Sequence, residues 1–157
     1  MYPAVRRKDR IIPREEALAL LNAAEYGTLA TASAGGQPYA TPLSFIVKGG
    51  AIYFHCAQSG HKMENIEANP RVCFSVVGKT RPVYDKGFSY HYESAVAFGR
   101  AAPIADEAEK VAVLTQLCEK YLPAYMAHAA AEIQGSLART AIIKITIEHI
   151  TGKAKRA

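Results

Sequence analysis

Residues 51–70 read Ala51-Ile-Tyr-Phe-His-Cys-Ala-Gln-Ser-Gly-His-Lys-Met-Glu-Asn-Ile-Glu-Ala-Asn-Pro70. The stretch opens as a short apolar strand, Ala51 to Cys56. It breaks at Ser59-Gly60 and continues as one or two helical turns until Asn69-Pro70 stop it. A strand that passes through glycine into a short helix leaves backbone N–H groups free at the helix start. His61 and Lys62 lie in that first turn. Free amides beside a lysine form a donor set for a phosphate.

The segments on either side are strands linked by tight turns. Pro13 and Glu15-Glu16 favour a helix start, and Ala17, Leu18, Leu21 and Ala24 give that helix its apolar stripe, to end near Gly27. Tyr26 to Ser33 reads as a strand and Ala34-Gly35-Gly36-Gln37 as a hairpin turn. The next strand, Tyr39 to Val47, is interrupted at Pro42, which cannot donate to a ladder and so marks an edge or a bulge. Lys48-Gly49-Gly50 turns the chain into the 51–70 stretch.

Beyond Pro70, Arg71 to Val77 is a strong strand. Residues 79–89 read as a loop, punctuated by Pro82, Asp85, Lys86 and Gly87. Tyr90 to Ile104 is a long strand with a bend at Gly99. Asp106 and Glu109 have capping-box spacing ahead of a helix to about Leu122, and residues 124–137 supply a short helix and a loop. Ala141 to His149 alternates strictly enough to bury one face, and Thr151-Gly152-Lys153 is expected to end the ordered part. Six strands with peripheral helices predict a mainly β domain: a predominantly antiparallel barrel. Regular strand–helix alternation and a GxGxxG are lacking, which argues against a Rossmann fold.

At 157 residues the chain is expected to be one domain, 1–157. Residues 1–14 hold five basic side chains and one acidic, and residues 151–157 three basic and none acidic. The remaining body carries 11 basic against 13 acidic residues. The excess charge therefore sits in two ends, 1–10 and 153–157, read as flexible basic tails. No nucleic-acid partner is expected. No apolar run approaches the length of a membrane span and no signal-peptide h-region appears, so a cytoplasmic protein without membrane association is expected.

The three cysteines, Cys56, Cys73 and Cys118, include no CxxC pair, so a disulfide framework or structural zinc is not expected. His55 and Cys56 are neighbours on a strand and point to opposite faces, so they do not readily share a metal with His61. None of the serines has a GxSxG context, which leaves a nucleophilic hydrolase unsupported. Tyr84, Tyr90 and Tyr92 read as packing residues, or as aromatics lining a planar ligand.

Several segments taken together carry a resemblance: Glu25-Tyr-Gly-Thr-Leu-Ala-Thr31, Pro38-Tyr-Ala-Thr-Pro-Leu-Ser-Phe45, Ile52 to Lys62, Asn69-Pro70, Tyr92-Glu-Ser-Ala-Val-Ala-Phe-Gly99 and Ile150-Thr-Gly-Lys153. The chain resembles the pyridoxamine 5′-phosphate oxidase-like, FMN-binding split-barrel proteins, and within them the nitroimidazole-resistance (Nim-type) branch. The resemblance implies a six-stranded antiparallel split β-barrel and a homodimer with FMN between two barrels. It places Thr41, Pro42, Leu43 and Ser44 against the flavin, Phe54 and His55 beside it, and Ser59, Gly60, His61 and Lys62 at its phosphate. It makes His55 the catalytic residue, and it lets the Tyr92 segment reach the groove from the partner chain.

The function implied is an FMN-dependent oxidoreductase that reduces a small electron-poor compound such as a 5-nitroimidazole, with NAD(P)H as candidate donor. The alternative is a non-catalytic flavin- or haem-binding storage protein. Pyridoxine oxidation is not expected, because the chain has no Trp and ends soon after Lys153.

Overall fold

The computed structural model describes residues 2–84 and 86–156. In chain order these form β1 (Ile11–Ile12), α1 (Arg14–Ala23), β2 (Gly27–Ala32), β3 (Pro38–Leu43), β4 (Ile46–Lys48), β5 (Ala51–Ala57), α2 (His61–Ala68), β6 (Arg71–Tyr84), β7 (Phe88–Pro103), α3 (Glu107–Tyr121), α4 (Met126–Ser136) and β8 (Thr140–Lys155), with three short 3-10 turns. The strands pair in the order β3-β2-β6-β7-β8-β5-β4, with β1 added to β8. Every pairing is antiparallel.

One link dictates the shape. β3 and β4 sit at opposite ends of the strand path, yet only Ser44 and Phe45 separate them in sequence. Leu43 and Ile46 can therefore lie no more than ~11 Å apart. The sheet must curl until its two edges almost meet. This is a split barrel: a rolled antiparallel sheet with a seam between β3 and the β4–β5 edge.

The curl creates an inside and an outside, and each is filled. Phe45, Ile52, Phe54, Phe74, Ile143 and Ile145 form the barrel interior with Ala17 and Leu21 of α1 and Ile66 of α2. On the outer face Ile46, Tyr53 and Ile142 pack against Val113, Leu114 and Leu117 of α3 and Ala129 and Ile133 of α4. β5 is thus covered on both sides, which is why Ala51, Ile52, Tyr53 and Phe54 are all buried despite alternating direction. α3 starts as its sequence predicts, with Asp106 accepting a 2.8 Å hydrogen bond from the Glu109 amide.

The structure revises several expectations. Eight strands are present among the described residues, not six. The Tyr39–Val47 segment is two strands, and its break falls at Ser44-Phe45. Pro42 lies inside β3 opposite Thr28, tolerated because β3 is an edge strand. Residues 79–89 are not a loop. β6 and β7 continue as a hairpin in which Pro82 pairs with Tyr90, after a register shift between Val77 and Thr80. Asp85 falls outside the described residues. Tyr84 (76% exposed) and Phe88 (100%) stand at the tip of that hairpin, where their rings meet edge-to-face at 5.7 Å, and Tyr90 is exposed too, so none of them belongs to the core.

The C-terminal segment is not a free tail either. β8 runs past Gly152 because Lys153 pairs with both Ser94 of β7 and Ile11 of β1, and Lys155 pairs with Tyr92. Arg156 then bridges Glu16 and Glu93, each at 2.8 Å.

Gly99 is required by close approach. At the β7–β8 register shift, a Cβ there would lie 2.1 Å from the Thr146 carbonyl oxygen, a backbone atom that cannot swing away. Gly99→Ala is expected to cost about 2–3 kcal/mol through overpacking. Urea denaturation measures this, and an unchanged midpoint would show that β8 shifts freely.

Candidate functional site

α2 lies across the seam and touches both of its sides. Gly60, at φ 121°, lets the chain turn from β5 into the helix. The Met63 and Glu64 amides bond back to the Gly60 carbonyl at 2.9 and 3.0 Å. The amides of His61 and Lys62 precede any intrahelical acceptor. On the β5 side, the Lys62 ammonium sits 5.4 Å from the centroid of the Phe54 ring, and Met63 sulfur is 3.6 Å from Cys56 sulfur. On the β3 side, the His61 ring meets the Tyr39 ring at 4.6 Å. Buried Asn65 donates to the Thr31 hydroxyl of β2 at 3.0 Å, which ties the helix to the far strand.

This arrangement locates the residues named by the sequence. Ser59, Gly60 and His61 are exposed at the helix start, and Pro42 and Ser44 are exposed on the other side of the seam. The His61–Tyr39 ring contact is what joins the two sides. Thr41 faces the interior side of β3, opposite fully buried Leu29. Its hydroxyl is buried with no hydrogen-bond partner. Such an orphan is costly and points to an absent polar partner. Leu43 is half-buried against the barrel core. The Phe54 ring is fully buried beneath Lys62, so it supports the lysine and is not itself a surface.

His55 points the other way. It shares the helix-covered outer face with Tyr53 and Ile142 but lies beyond the helices and is exposed. Crowding by the surrounding protein, and secondly the positive charge of Lys62, push its pKa below the usual histidine value. At neutral pH the imidazole is therefore mainly uncharged. Among the described residues, no hydrogen bond or ring contact joins His55 to the 41–44 segment.

Sequence reasoning missed the supports. Asn65, Thr31 and Tyr39 carry no motif, and their contacts link residues up to 34 positions apart. Lys120 and Tyr121, at the end of α3, hold Phe45 from 75 and 76 positions away. A separate groove of about 530 Å³ runs over the outer sheet face, lined by Ala30, Cys73, Phe98 and Arg71. It lies away from the α2 turn.

A family model described as pyridoxamine 5′-phosphate oxidase matches residues 13–154, and the chain belongs to that family. No curated protein matches the sequence. Among solved structures, the flavocytochrome Anf3 of Azotobacter vinelandii is similar over 98% of this chain and 73% of its own, at 21% identity and TM-score 0.81. A candidate 5-nitroimidazole antibiotic resistance protein of Bacteroides thetaiotaomicron matches over 91% and 85%, at 21% identity and TM-score 0.76. The FAD and haem binding protein of Mycobacterium smegmatis matches over 92% and 72%, at 23% identity and TM-score 0.76. At these identities the likeness shows the split-barrel fold. Among the described residues no helix is long and apolar enough to cross a membrane.

The displaced His55 pKa has a consequence for stability. The unfolded chain takes up the His55 proton near pH 6.5, the folded chain only at lower pH. Between those values the unfolded state holds more protons, so stability falls as the solution is acidified. The wild-type protein is expected to lose more stability between pH 8 and pH 5 than His55→Gln. Urea midpoints at both pH values test this, and equal losses would contradict the assignment.

Proposed function

We propose that the chain is a flavoprotein that holds FMN across the seam, with its phosphate at the start of α2. The orphaned Thr41 hydroxyl carries this reading: it is buried on β3, the strand that borders the seam, and calls for a polar ligand atom. The residues present fit the group. Lys62 and the amides of residues 60–62 would take the phosphate, aided by the positive end of the helix dipole. Thr41 and the 42–44 backbone would line the ring system. When bound, the isoalloxazine supplies the redox chemistry, while the protein supplies orientation and electrostatics.

His55 points to the outer face, away from this chain's own seam, so we propose that it meets a substrate only where a second copy brings a flavin to that face; it is mainly neutral at neutral pH and would donate a proton only once acid has protonated it. The substrate proposed is a small electron-poor compound, such as a 5-nitroimidazole, with NAD(P)H as donor. The likeness to the Bacteroides candidate 5-nitroimidazole resistance protein supports this choice. The likeness to a flavocytochrome and to an FAD and haem binding protein supports the alternative, a protein that holds a cofactor.

Pro42, Ser44, Ser59, Gly60 and His61 are exposed in one chain, and we propose that a second copy covers them. Directly opposed residues in adjacent strands point to one side of a sheet. Ala40, Ala30, Cys73 and Phe98 therefore form one outward row, and Pro42, Thr28, Ser75 and Val96 another. The small side chains Ala30, Ala40, Thr28 and Ser75 among them allow a second sheet to approach closely over β2. Val77, 65% exposed, extends this face.

Purified protein is expected to show a flavin absorbance band and a dimer mass by light scattering. Lys62→Ala should weaken FMN binding about tenfold or more, equivalent to roughly 1.4 kcal/mol or more of lost charge-assisted bonding. A Soret band without flavin would overturn the FMN reading. Full FMN affinity in Lys62→Ala would displace the phosphate site, and a monomer mass would remove the second copy.

A further inference from the structure

We propose that Lys120 and Tyr121, the last two residues of α3, are positioning residues for the flavin: they latch Phe45 and so fix the Ser44–Phe45 break that forms the wall of the site. The inference rests on the flavin reading above. The wall is set by a helix end some 75 positions away in sequence, not only by the strands that carry it.

Phe45 lies between two strands and belongs to neither, so its backbone groups need other partners. Its amide donates to the Tyr121 hydroxyl at 3.0 Å. Its carbonyl oxygen lies 3.0 Å from the Lys120 ammonium and 3.0 Å from the Tyr121 hydroxyl. The same two side chains reach the linker between α1 and β2. Lys120 donates to the Ala24 carbonyl at 2.8 Å, and Tyr121 to the Glu25 carbonyl at 2.5 Å. A phenol has one proton to give, and the shorter contact assigns it to Glu25. The Phe45 carbonyl then depends on Lys120. Each residue of the pair therefore has a separate task.

The aromatic side of the latch is equally tight. The Lys120 ammonium stands 4.3 Å from the Phe45 ring centroid and 5.2 Å from that of Tyr121. Phe45 is fully buried and meets Phe74 edge-to-face at 4.8 Å. Phe74 in turn fills the space over Gly27, where an added Cβ would fall 2.2 Å from its ring. Phe45 thus has no freedom to move, while its neighbour Ser44 is exposed. The result is an exposed backbone held by a rigid one, the arrangement a ligand-binding wall needs.

The lysine is placed at a cost. Withdrawal from water lowers its pKa from the usual lysine value, and no carboxylate lies within ion-pair distance among the described residues. An apolar side chain would fill the space without that penalty, but it would leave two carbonyls unpaired. Holding those carbonyls is what the ammonium does there.

The test compares FMN with riboflavin, which has the same ring system and no phosphate. Binding of both is measured for wild type, Tyr121→Phe, Lys120→Met and Lys120→Arg, with a thermal melt to show that each variant is folded. A displaced wall acts on the ring, so Tyr121→Phe and Lys120→Met are expected to weaken both ligands by a similar factor, about five- to tenfold. The visible band of the bound flavin should shift as well. Lys120→Arg keeps the donors and the cation over Phe45 and should recover most of the loss. A variant that melts earlier yet binds both flavins with wild-type affinity and an unshifted band would make the latch structural only and overturn the proposal. Wild-type protein that binds neither ligand overturns the flavin reading itself, a distinct result.

Discussion

Everything in this molecule depends on the two-residue link between opposite edges of its sheet. Ser44 and Phe45 join β3 to β4, and so set an upper limit of ~11 Å on the distance between the two strand ends. The right-handed twist of antiparallel strands supplies the tendency to curl, and the short link makes closure obligatory. Closure separates a barrel interior from an outer face, and it leaves a seam where edge backbone meets no neighbouring strand. The same link that shapes the barrel therefore creates the place where a ligand can be held.

The seam is managed from two sides. α2 spans it through Lys62 and Met63 on β5, His61 on β3 and Asn65 on β2. α3 pins its other end through Lys120 and Tyr121 on Phe45. Both helices also bury apolar side chains, Ile66 on α2 and Val113, Leu114 and Leu117 on α3, away from these contacts. Both use polar or charged side chains at positions where hydrophobic ones would pack more cheaply, and this is a reason to connect them with binding more than with stability. Thr41 belongs to the same pattern, a buried hydroxyl on the interior side of the seam that the protein itself leaves unsatisfied.

Much of this architecture was legible in the sequence. The strand–glycine–helix reading of residues 51–70 placed β5 and α2 within a residue or two, and Asp106 marked the start of α3. Local signals worked wherever the determinant was local. They failed where pairing decided the outcome. Residues 79–89 carry Pro82 and Gly87 and look like a loop, but residues 80–84 pair with 88–92 as a hairpin, with proline at an edge of the ladder. Gly152 looks like a stop, yet β8 continues because β1 and β7 pair with it on either side. Lys120 and Tyr121 look like the ordinary end of a helix, because their partners lie 75 or more residues away. Phe54 marks a limit of resemblance as a guide to role: its ring is buried under Lys62 and presents no face to a ligand.

The central claim is that one seam, bridged by α2 and pinned by Phe45, holds the flavin. Amide hydrogen exchange with and without saturating FMN measures this residue by residue. The account predicts protection concentrated at residues 41–45 and 59–63, with the core strand β8 unchanged. Protection centred on the outer groove lined by Arg71, Cys73 and Phe98, with residues 41–45 and 59–63 unaffected, would contradict it.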